Sequence, residues 1–231
     1  AKGEIIDPIN PETGKSWGWS DVADLNYDNQ GLRAAMTADM LHWIKNENID
    51  GFRCDVAGNV PLDYWQQAIP QLRKEKNIFM LAEAWEPELL KEGLFDMAYG
   101  WEAHHTMNRI AQGKNTVKDW DKFMAENDIK YSSDDILMNF VDNHDENSWN
   151  GTIKGRLGKG EEAMTALSYV MPGMPLIYSG NEYGLNHSLK FFEKDSIPKT
   201  KGKDWELRAK LGKLKTENTA LNGGKNKAKY T

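Results

Sequence analysis

The stretch that decides the fold is Asp50-Gly-Phe-Arg-Cys-Asp-Val-Ala-Gly-Asn-Val60, an apolar-biased run that meets Pro61. The run predicts a strand over residues 50–55, and Pro61 is typical of the start of a helix. Arg53 and Asp55 are two positions apart, so a strand would point both side chains to the same face. A guanidinium at this place favours the ionised form of the carboxylate. The pair is compatible with two roles, a positioned nucleophile or a structural cap on the strand.

Two later stretches repeat this plan. Ile78-Phe-Met-Leu-Ala-Glu83 is an apolar run that ends in a carboxylate, and Ile136-Leu-Met-Asn-Phe-Val-Asp-Asn-His-Asp145 ends in His144 and Asp145. One acid after a strand is ordinary, because strand–helix turns favour Asp and Asn as caps. Three in series predict carboxylates gathered at the carboxyl edge of a parallel sheet, where α/β enzymes place their sites.

The rest of the chain alternates strand-like and helical patterns, which predicts parallel strands joined by right-handed crossovers. The apolar runs predict five strands, at residues 50–55, 78–82, 95–99, 136–142 and 175–178. Apolar periodicity and caps predict helices at 29–45, 61–74, 87–92, 116–127, 160–170 and 203–218. Pro70 lies inside the second helix and is expected to kink or interrupt it.

The quoted motifs resemble signature regions of the α-amylase family of glycoside hydrolases. Gly-Phe-Arg-Cys-Asp-Val-Ala, Ala-Glu-Ala-Trp and Phe-Val-Asp-Asn-His-Asp match three of them, in the order of the family. The segment Pro172-Gly-Met-Pro-Leu-Ile-Tyr-Ser-Gly-Asn-Glu182 is similar to the one around the family's eighth barrel strand. Asp24-Leu-Asn26 resembles the stretch before its third barrel helix. The ordered set covers residues 19–221 and is far more specific than any one motif.

This resemblance implies an α/β fold, a partial TIM (β/α)8 barrel that holds roughly strands four to eight with their helices. A closed barrel has eight strands, so the first three are expected to lie outside this sequence, which starts like the middle of a domain. The expected organisation is a loop region at 1–28, the partial catalytic barrel at 29–218, and at 219–231 the start of a link to an absent C-terminal β domain.

The resemblance also implies a retaining glycoside hydrolase that acts on α-glucans such as starch and maltooligosaccharides. Carried over residue by residue, Asp55 is the nucleophile and Glu83 the general acid and base of a double displacement. Asp145 is the third catalytic carboxylate. For its role, Glu83 needs a pKa raised by burial and by the charges of Asp55 and Asp145.

Three further residues are predicted to bind substrate. Arg53 fixes Asp55, and His144 grips sugar hydroxyls together with Asp145. Trp85 is expected to stack on a sugar ring, although core packing explains a tryptophan equally well. His144 also has an alternative, a buried histidine with satisfied hydrogen bonds.

Weaker assignments concern the loops and strand ends. His104 and His105 are expected on a loop beyond strand 95–99, and a role in substrate binding is a weak hypothesis for both. Asp142 and Glu182 have weak functional claims.

Three positions depart from the family pattern, one of them mildly, since Asn181 stands where Gln is frequent. Gly58 and Asn59 stand where many α-amylases carry Lys and His, which puts a substrate contact and a calcium-linked carbonyl in doubt. No metal-binding spacing is present, so no cofactor is predicted in this chain, whereas calcium stays open for the full-length enzyme. The single cysteine, Cys54, should face away from Arg53 and Asp55 and pack against a helix.

Composition excludes some partners. The net charge of −6 argues against nucleic-acid or anionic-membrane binding, and no apolar run is long enough to span a membrane. The sequence does not indicate the cellular location. A signal peptide upstream of these residues would indicate secretion or the periplasm, and without one the protein would be cytoplasmic. We expect a partial barrel to self-associate through its open sheet.

Two alternatives to hydrolysis remain open. An α-glucan transglycosylase or branching-type enzyme would use the same acids, since acceptor choice lies in the loops. A non-catalytic barrel relative would keep the fold for partner binding, but such relatives typically lose one of the three acids, and all three are retained.

Overall fold

A five-stranded parallel sheet orders the chain. The computed structural model describes residues 5–10 and 13–223. The strands lie side by side in chain order: β1 (Gly51–Cys54), β2 (Phe79–Ala82), β3 (Met97–Tyr99), β4 (Leu137–Asn139) and β5 (Met174–Pro175). The pairs β2–β3, β3–β4 and β4–β5 are each parallel. This is the order expected of consecutive strands in a (β/α)8 barrel.

The chain divides into two units, and the first contains residues up to 51 and residues 59–78. Its helices α1 (Gln30–Asn46) and α2 (Leu62–Glu75) pack together. Arg33 of α1 donates to both carboxylate oxygens of Asp63, at 2.8 and 3.2 Å. The side chain of Asn29 caps α1 by accepting from two main-chain N–H groups. Both predicted helices are confirmed.

Helix α2 runs through Pro70 without a break, so the predicted interruption is wrong. Ile69 and Leu72, on either side of the proline, are fully buried. Their packing offsets the main-chain hydrogen bond that a proline in a helix cannot donate.

The second unit contains residues 52–58 and those from 79 onward. Its helices are α3 (Trp101–Ala111), α4 (Val117–Lys130), α5 (His144–Trp149), α6 (Ile153–Leu157), α7 (Glu161–Val170) and α8 (Lys203–Glu217). Thr116 and Asp119 form a reciprocal capping box at the start of α4. One core cluster, Met97, Tyr99, Met138 and Phe140, joins the middle of the sheet. These elements place the carboxyl ends of β1, β2 and β4 within one unit.

Three helices were not predicted: α3, α5 and α6. His104 and His105 are therefore not on a loop, as predicted, but in α3, where His104 is buried. The predicted strand 136–142 ends at Asn139, and the predicted helix 87–92 is a 3-10 turn, Pro87–Leu90. Predicted helices 116–127, 160–170 and 203–218 are confirmed as α4, α7 and α8.

The predicted organisation is only partly covered by the described residues. Residues 1–4 and 11–12 of the predicted loop 1–28, and 224–231 of the predicted link, lie outside them. Within the described ranges, no helix has the length and apolar character needed to cross a bilayer.

Candidate active site

Arg53 connects the side chains of the candidate site. From β1 its guanidinium donates one hydrogen bond to the carboxylate of Asp55 and another, at 2.9 Å, to Oε2 of Glu83. Its Nε donates to the hydroxyl of Tyr99 at 3.1 Å. The guanidinium thereby holds two acids, Asp55 after the end of β1 and Glu83 after the end of β2. Tyr99, at the end of β3, orients the guanidinium.

The two acids differ in their exposure to solvent. The side chain of Asp55 is 69% exposed, whereas that of Glu83 is 13% exposed. Burial raises the pKa of Glu83, and the charges of Asp55 and Asp145 raise it further, against the opposing effects of Val56 N–H and Arg53. Glu83 therefore keeps a proton at pH values where an exposed glutamate has lost it.

The residue between these acids has an unusual backbone. Val56 has φ of +42°, in the left-handed region that β-branched residues avoid at a cost of about 1–3 kcal/mol. In this conformation its N–H donates to Oε2 of Glu83 at 2.8 Å. The N–H of Ala57 donates to the main-chain oxygen of Glu83 at 3.1 Å. The turn after β1 thus fixes both the backbone and the carboxyl group of Glu83.

Asp145 and His144 lie in the first turn of α5, not at a strand end. Asn143 starts this helix, because its Oδ1 accepts from the N–H of Asp145 at 3.0 Å and of Glu146 at 2.8 Å. His144 Nε2 is 3.3 Å from Oδ2 of Asp145. The charge of Asp145 contributes to the raised pKa of Glu83. The three predicted acids therefore lie within one electrostatic neighbourhood.

His144 and Trp85 are both accessible. The side chain of His144 is 42% exposed and its ring stacks on Phe191 at 6.4 Å, so it is not the buried histidine of the alternative prediction. Trp85, on the loop after β2, is 53% exposed. Tyr131 donates to its main-chain oxygen at 2.6 Å. Both residues have surface available for a ligand.

A buried polar network supports α5. Asp142 accepts from Arg156 Nη2 at 2.7 Å and from Asn181 Nδ2 at 3.1 Å. His104 Nε2 lies 3.0 Å from Oε2 of Glu146. Asp142 and His104 are thus structural supports, and His104 is not placed to contact a substrate. Glu182 accepts from the N–H of Gly180 within its own turn, at 2.9 Å.

Two residues near the site were missed by the sequence analysis. Tyr99 accepts from Arg53 and places its ring under the guanidinium, 5.6 Å from the centroid. It ends β3 as Cys54 ends β1, so the strand-end rule could have found it. Phe191 stacks on His144 from a loop distant in sequence, which no local signal could reveal.

Cysteine and metal chemistry have little support in this region. Burial raises the pKa of Cys54 to about 12, so its thiol stays protonated at neutral pH. Among the residues that the structure describes, no group of three or more His, Cys, Asp or Glu side chains is placed to hold a metal ion.

Comparison with known proteins gives the family. The family described as alpha amylase, catalytic domain, matches residues 17–220. Alpha-amylase MalA of Haloarcula japonica is 26% identical over 176 residues, which are 75% of this chain and 26% of that protein. A 4-alpha-glucanotransferase of Thermotoga neapolitana is 27% identical over 175 residues, 70% of this chain and 37% of that protein.

The fold comparison agrees. The crystal structure of the noncanonic maltogenic alpha-amylase AmyB of Thermotoga neapolitana superposes with a TM-score of 0.79 and 29% identity, covering 92% of this chain and 50% of that one. This chain thus spans half or less of the length of each of these three proteins. The predicted fold class, a partial (β/α)8 barrel, is confirmed. By its sequence and its fold, the chain belongs to the α-amylase family, as part of the catalytic domain.

Proposed function

We propose that the protein containing this chain is a retaining glycoside hydrolase of α-glucans. The observation that carries the proposal is the pairing of two unlike carboxyl groups around Arg53. Asp55 is exposed and hydrogen-bonded to the guanidinium, while Glu83 is sheltered and has a raised pKa. Two carboxyl groups with different protonation states are what glycoside hydrolysis requires.

The mechanism follows from these two environments. The Asp55 carboxylate attacks the anomeric carbon, the glycosidic C–O bond breaks, and Glu83 gives its proton to the leaving oxygen. A glycosyl ester on Asp55 results. Glu83, now ionised, takes a proton from a water molecule whose oxygen attacks the same carbon. The ester bond breaks and both carboxyl groups return to their starting protonation states. Because the anomeric carbon has been inverted twice, the released sugar has the configuration of the substrate.

The neighbouring residues have positioning and binding roles in this proposal. Arg53 holds Asp55 in place, and its own pKa is raised because hydrogen bonding to Tyr99 and the charge of Glu83 outweigh the effect of burial. Asp145 and His144 face the sugar hydroxyls at the cleaved unit. Trp85 offers an exposed indole two residues beyond Glu83.

Transglycosylation is the second candidate. The similarity to a 4-alpha-glucanotransferase favours it, since such an enzyme transfers a glucan to an acceptor. Water and a sugar hydroxyl would be activated by the same Glu83. Incubation with maltotriose separates the two reactions: hydrolysis gives only shorter sugars, whereas transfer also gives longer ones. The third alternative, a non-catalytic relative, is disfavoured by the retention of all three acids.

The test is an acid-to-amide series in the protein at its native length. We expect Glu83→Gln to lower turnover of starch by about 10²–10⁴-fold, the usual contribution of a general acid–base. Asp55→Asn should lower it by several orders of magnitude, because no ester can form. The melting temperature should stay near that of the wild type.

Asp121→Asn is the matched control, because Asp121 is an exposed acid on α4. Starch hydrolysis at the wild-type rate by either Asp55→Asn or Glu83→Gln would refute the proposed function.

A further inference from the structure

The turns that follow β1 and β2 meet beside the proposed reacting groups. The 3-10 turn Ala57–Asn59 comes after β1, and Glu86 starts the 3-10 turn Pro87–Leu90 after β2. Gly58 lies directly against the carboxyl group of Glu86. Gly58 and Glu86 both belong to the second unit of the chain. Their contact therefore joins the two segments that carry the proposed acids.

Space, and not backbone conformation, explains the glycine at position 58. The φ of Gly58 lies outside the left-handed region, so its backbone does not require a glycine. A Cβ at this position, however, would lie 2.8 Å from Oε2 of Glu86 and 3.0 Å from both its Cδ and its Oε1. The carboxyl group of Glu86 thus occupies the volume that the side chain of any other residue at position 58 would fill.

Glu86 is fixed in this place by its backbone and by its carboxyl group. Pro87 follows it and restricts it to extended backbone, which agrees with its φ of −79° and ψ of 120°. Its Oε2 accepts from the N–H of Trp85 at 2.9 Å. The main-chain oxygen of Trp85 accepts from the hydroxyl of Tyr131 at 2.6 Å. The N–H and the main-chain oxygen of Trp85 are therefore both held, two residues beyond Glu83.

We propose that Glu86 is a positioning residue for the reaction, and that Gly58 provides the space for its carboxylate. This inference rests on the proposed function. Through the N–H of Trp85, the carboxylate holds the turn that follows Glu83. Against Gly58, it keeps that turn at a fixed distance from the one that follows Asp55. The two reacting carboxyl groups tolerate little displacement, because a retaining enzyme holds them roughly 5–5.5 Å apart. Glu86 acts through the turns and not by contact with the sugar.

The test is a double-mutant cycle in the native-length protein, with kcat and KM measured on maltoheptaose. The Cβ of Gly58→Ala meets only the end of a flexible side chain, so the melting temperature should stay near that of the wild type. Glu86 is displaced and its bond to Trp85 is lost. We expect kcat to fall about tenfold, within the roughly 10²-fold that a 1 Å misplacement can cost. KM should stay close to the wild-type value.

The second arm of the cycle changes Glu86. Glu86→Ala should lower kcat as much as Gly58→Ala does, since both remove the same contact. In the Glu86→Ala background, Gly58→Ala should add no further loss, because the new methyl group no longer meets a carboxylate. Glu86→Gln keeps the size and an oxygen acceptor for the N–H of Trp85, so its kcat should remain near that of the wild type.

Two controls match these changes. Gly212→Ala places a Cβ in α8 where nothing lies within 4 Å, and Glu88→Ala removes an exposed acid from the same 3-10 turn as Glu86. Wild-type kcat in both single variants would overturn the inference. So would losses that multiply in the double variant, a Glu86→Gln protein as slow as Glu86→Ala, or equal losses in the controls.

Failure of the inference is distinguishable from failure of the proposed function. If Asp55→Asn and Glu83→Gln abolish turnover while the cycle gives any of these contrary results, the proposed function stands and the positioning role falls. Wild-type turnover in Asp55→Asn would remove the proposed function itself, and the inference with it.

Discussion

At the scale of the residue, the position of Glu83 decides its chemistry. Its carboxyl group is nearly enclosed, and among the described residues two donors reach it, the N–H of Val56 and the guanidinium of Arg53. Those donors favour the charged form, but burial and two nearby carboxylates outweigh them. Arg53 therefore contacts both Asp55 and Glu83, although Asp55 is exposed and Glu83 is buried with a raised pKa.

The pH dependence should reveal the charge of Asp145. Activity needs protonated Glu83, so the rate falls as the pH rises through the pKa of Glu83. Asp145→Asn removes a negative charge that raises this pKa. We expect the alkaline limb of the kcat/KM profile to move to lower pH, whatever the loss in amplitude. An alkaline limb that stays in place, with Asp121→Asn as the control, would contradict this assignment.

The site acids could be predicted from sequence because each follows a recognisable strand or cap. Asp55 and Glu83 lie one residue beyond β1 and β2, where the apolar run itself marks the place. The contacts of Arg53 with Glu83 and Tyr99 join three different strands. Local pattern carries no information about such pairs, since they depend on the register of the sheet.

At the scale of the element, helix α5 links the site to the loop at 184–203. The side chain of Asn147, which is buried, accepts from the N–H of Leu189 at 2.7 Å and donates to the main-chain oxygen of His187 at 3.3 Å. Ser148 donates to the main-chain oxygen of Leu189 at 2.9 Å. The loop thereby presents Phe191 to the ring of His144.

Asn147→Ala should loosen this loop. The change leaves a main-chain N–H and a main-chain oxygen without their partner, at a cost of about 1–3 kcal/mol. We expect faster hydrogen exchange of the amide of Leu189 and weaker substrate binding by His144. Asn150→Ala is the matched control, because the side chain of Asn150 donates to Oε1 of Glu146 within α5 and not to the loop. Equal exchange rates in the two variants would show that the loop is held elsewhere.

Most of the longer helices were predictable, whereas α3 and the short helices α5 and α6 were not. Asn29 and Thr116 mark their helices with caps that the sequence displays. Helix α5 was missed because the apolar residues before it continue the pattern of β4, and the strand prediction ran on to 142. Only the side chain of Asn143, which accepts from two N–H groups, shows where the chain turns into a helix.

At the scale of the whole molecule, the family sets what the chain can be compared with. The match to the α-amylase catalytic domain covers nearly all of it, yet the chain spans only 26% of the Haloarcula japonica relative and 50% of the Thermotoga neapolitana structure. The three proposed acids lie in the part of the barrel that this chain contains. The substrate, the products and the wider organisation are therefore proposals for the native-length protein.

Metal removal gives a test at this scale. We expect EDTA to leave the melting temperature of this chain unchanged, because no cluster of metal-binding side chains occurs in the part that the structure describes. A fall in melting temperature that added calcium reverses would contradict this. The same titration of the native-length protein reports on calcium bound elsewhere.

The brevity of β5 has a consequence for how copies of the chain meet. The strand has two residues, and one of them, Pro175, has no N–H to donate. Short edges that contain proline resist the edge-to-edge growth that leads to aggregates. Strand β1, at the other edge of the described sheet, has four residues and no proline. Any strand-mediated polymerisation of this chain should therefore begin at β1 rather than at β5.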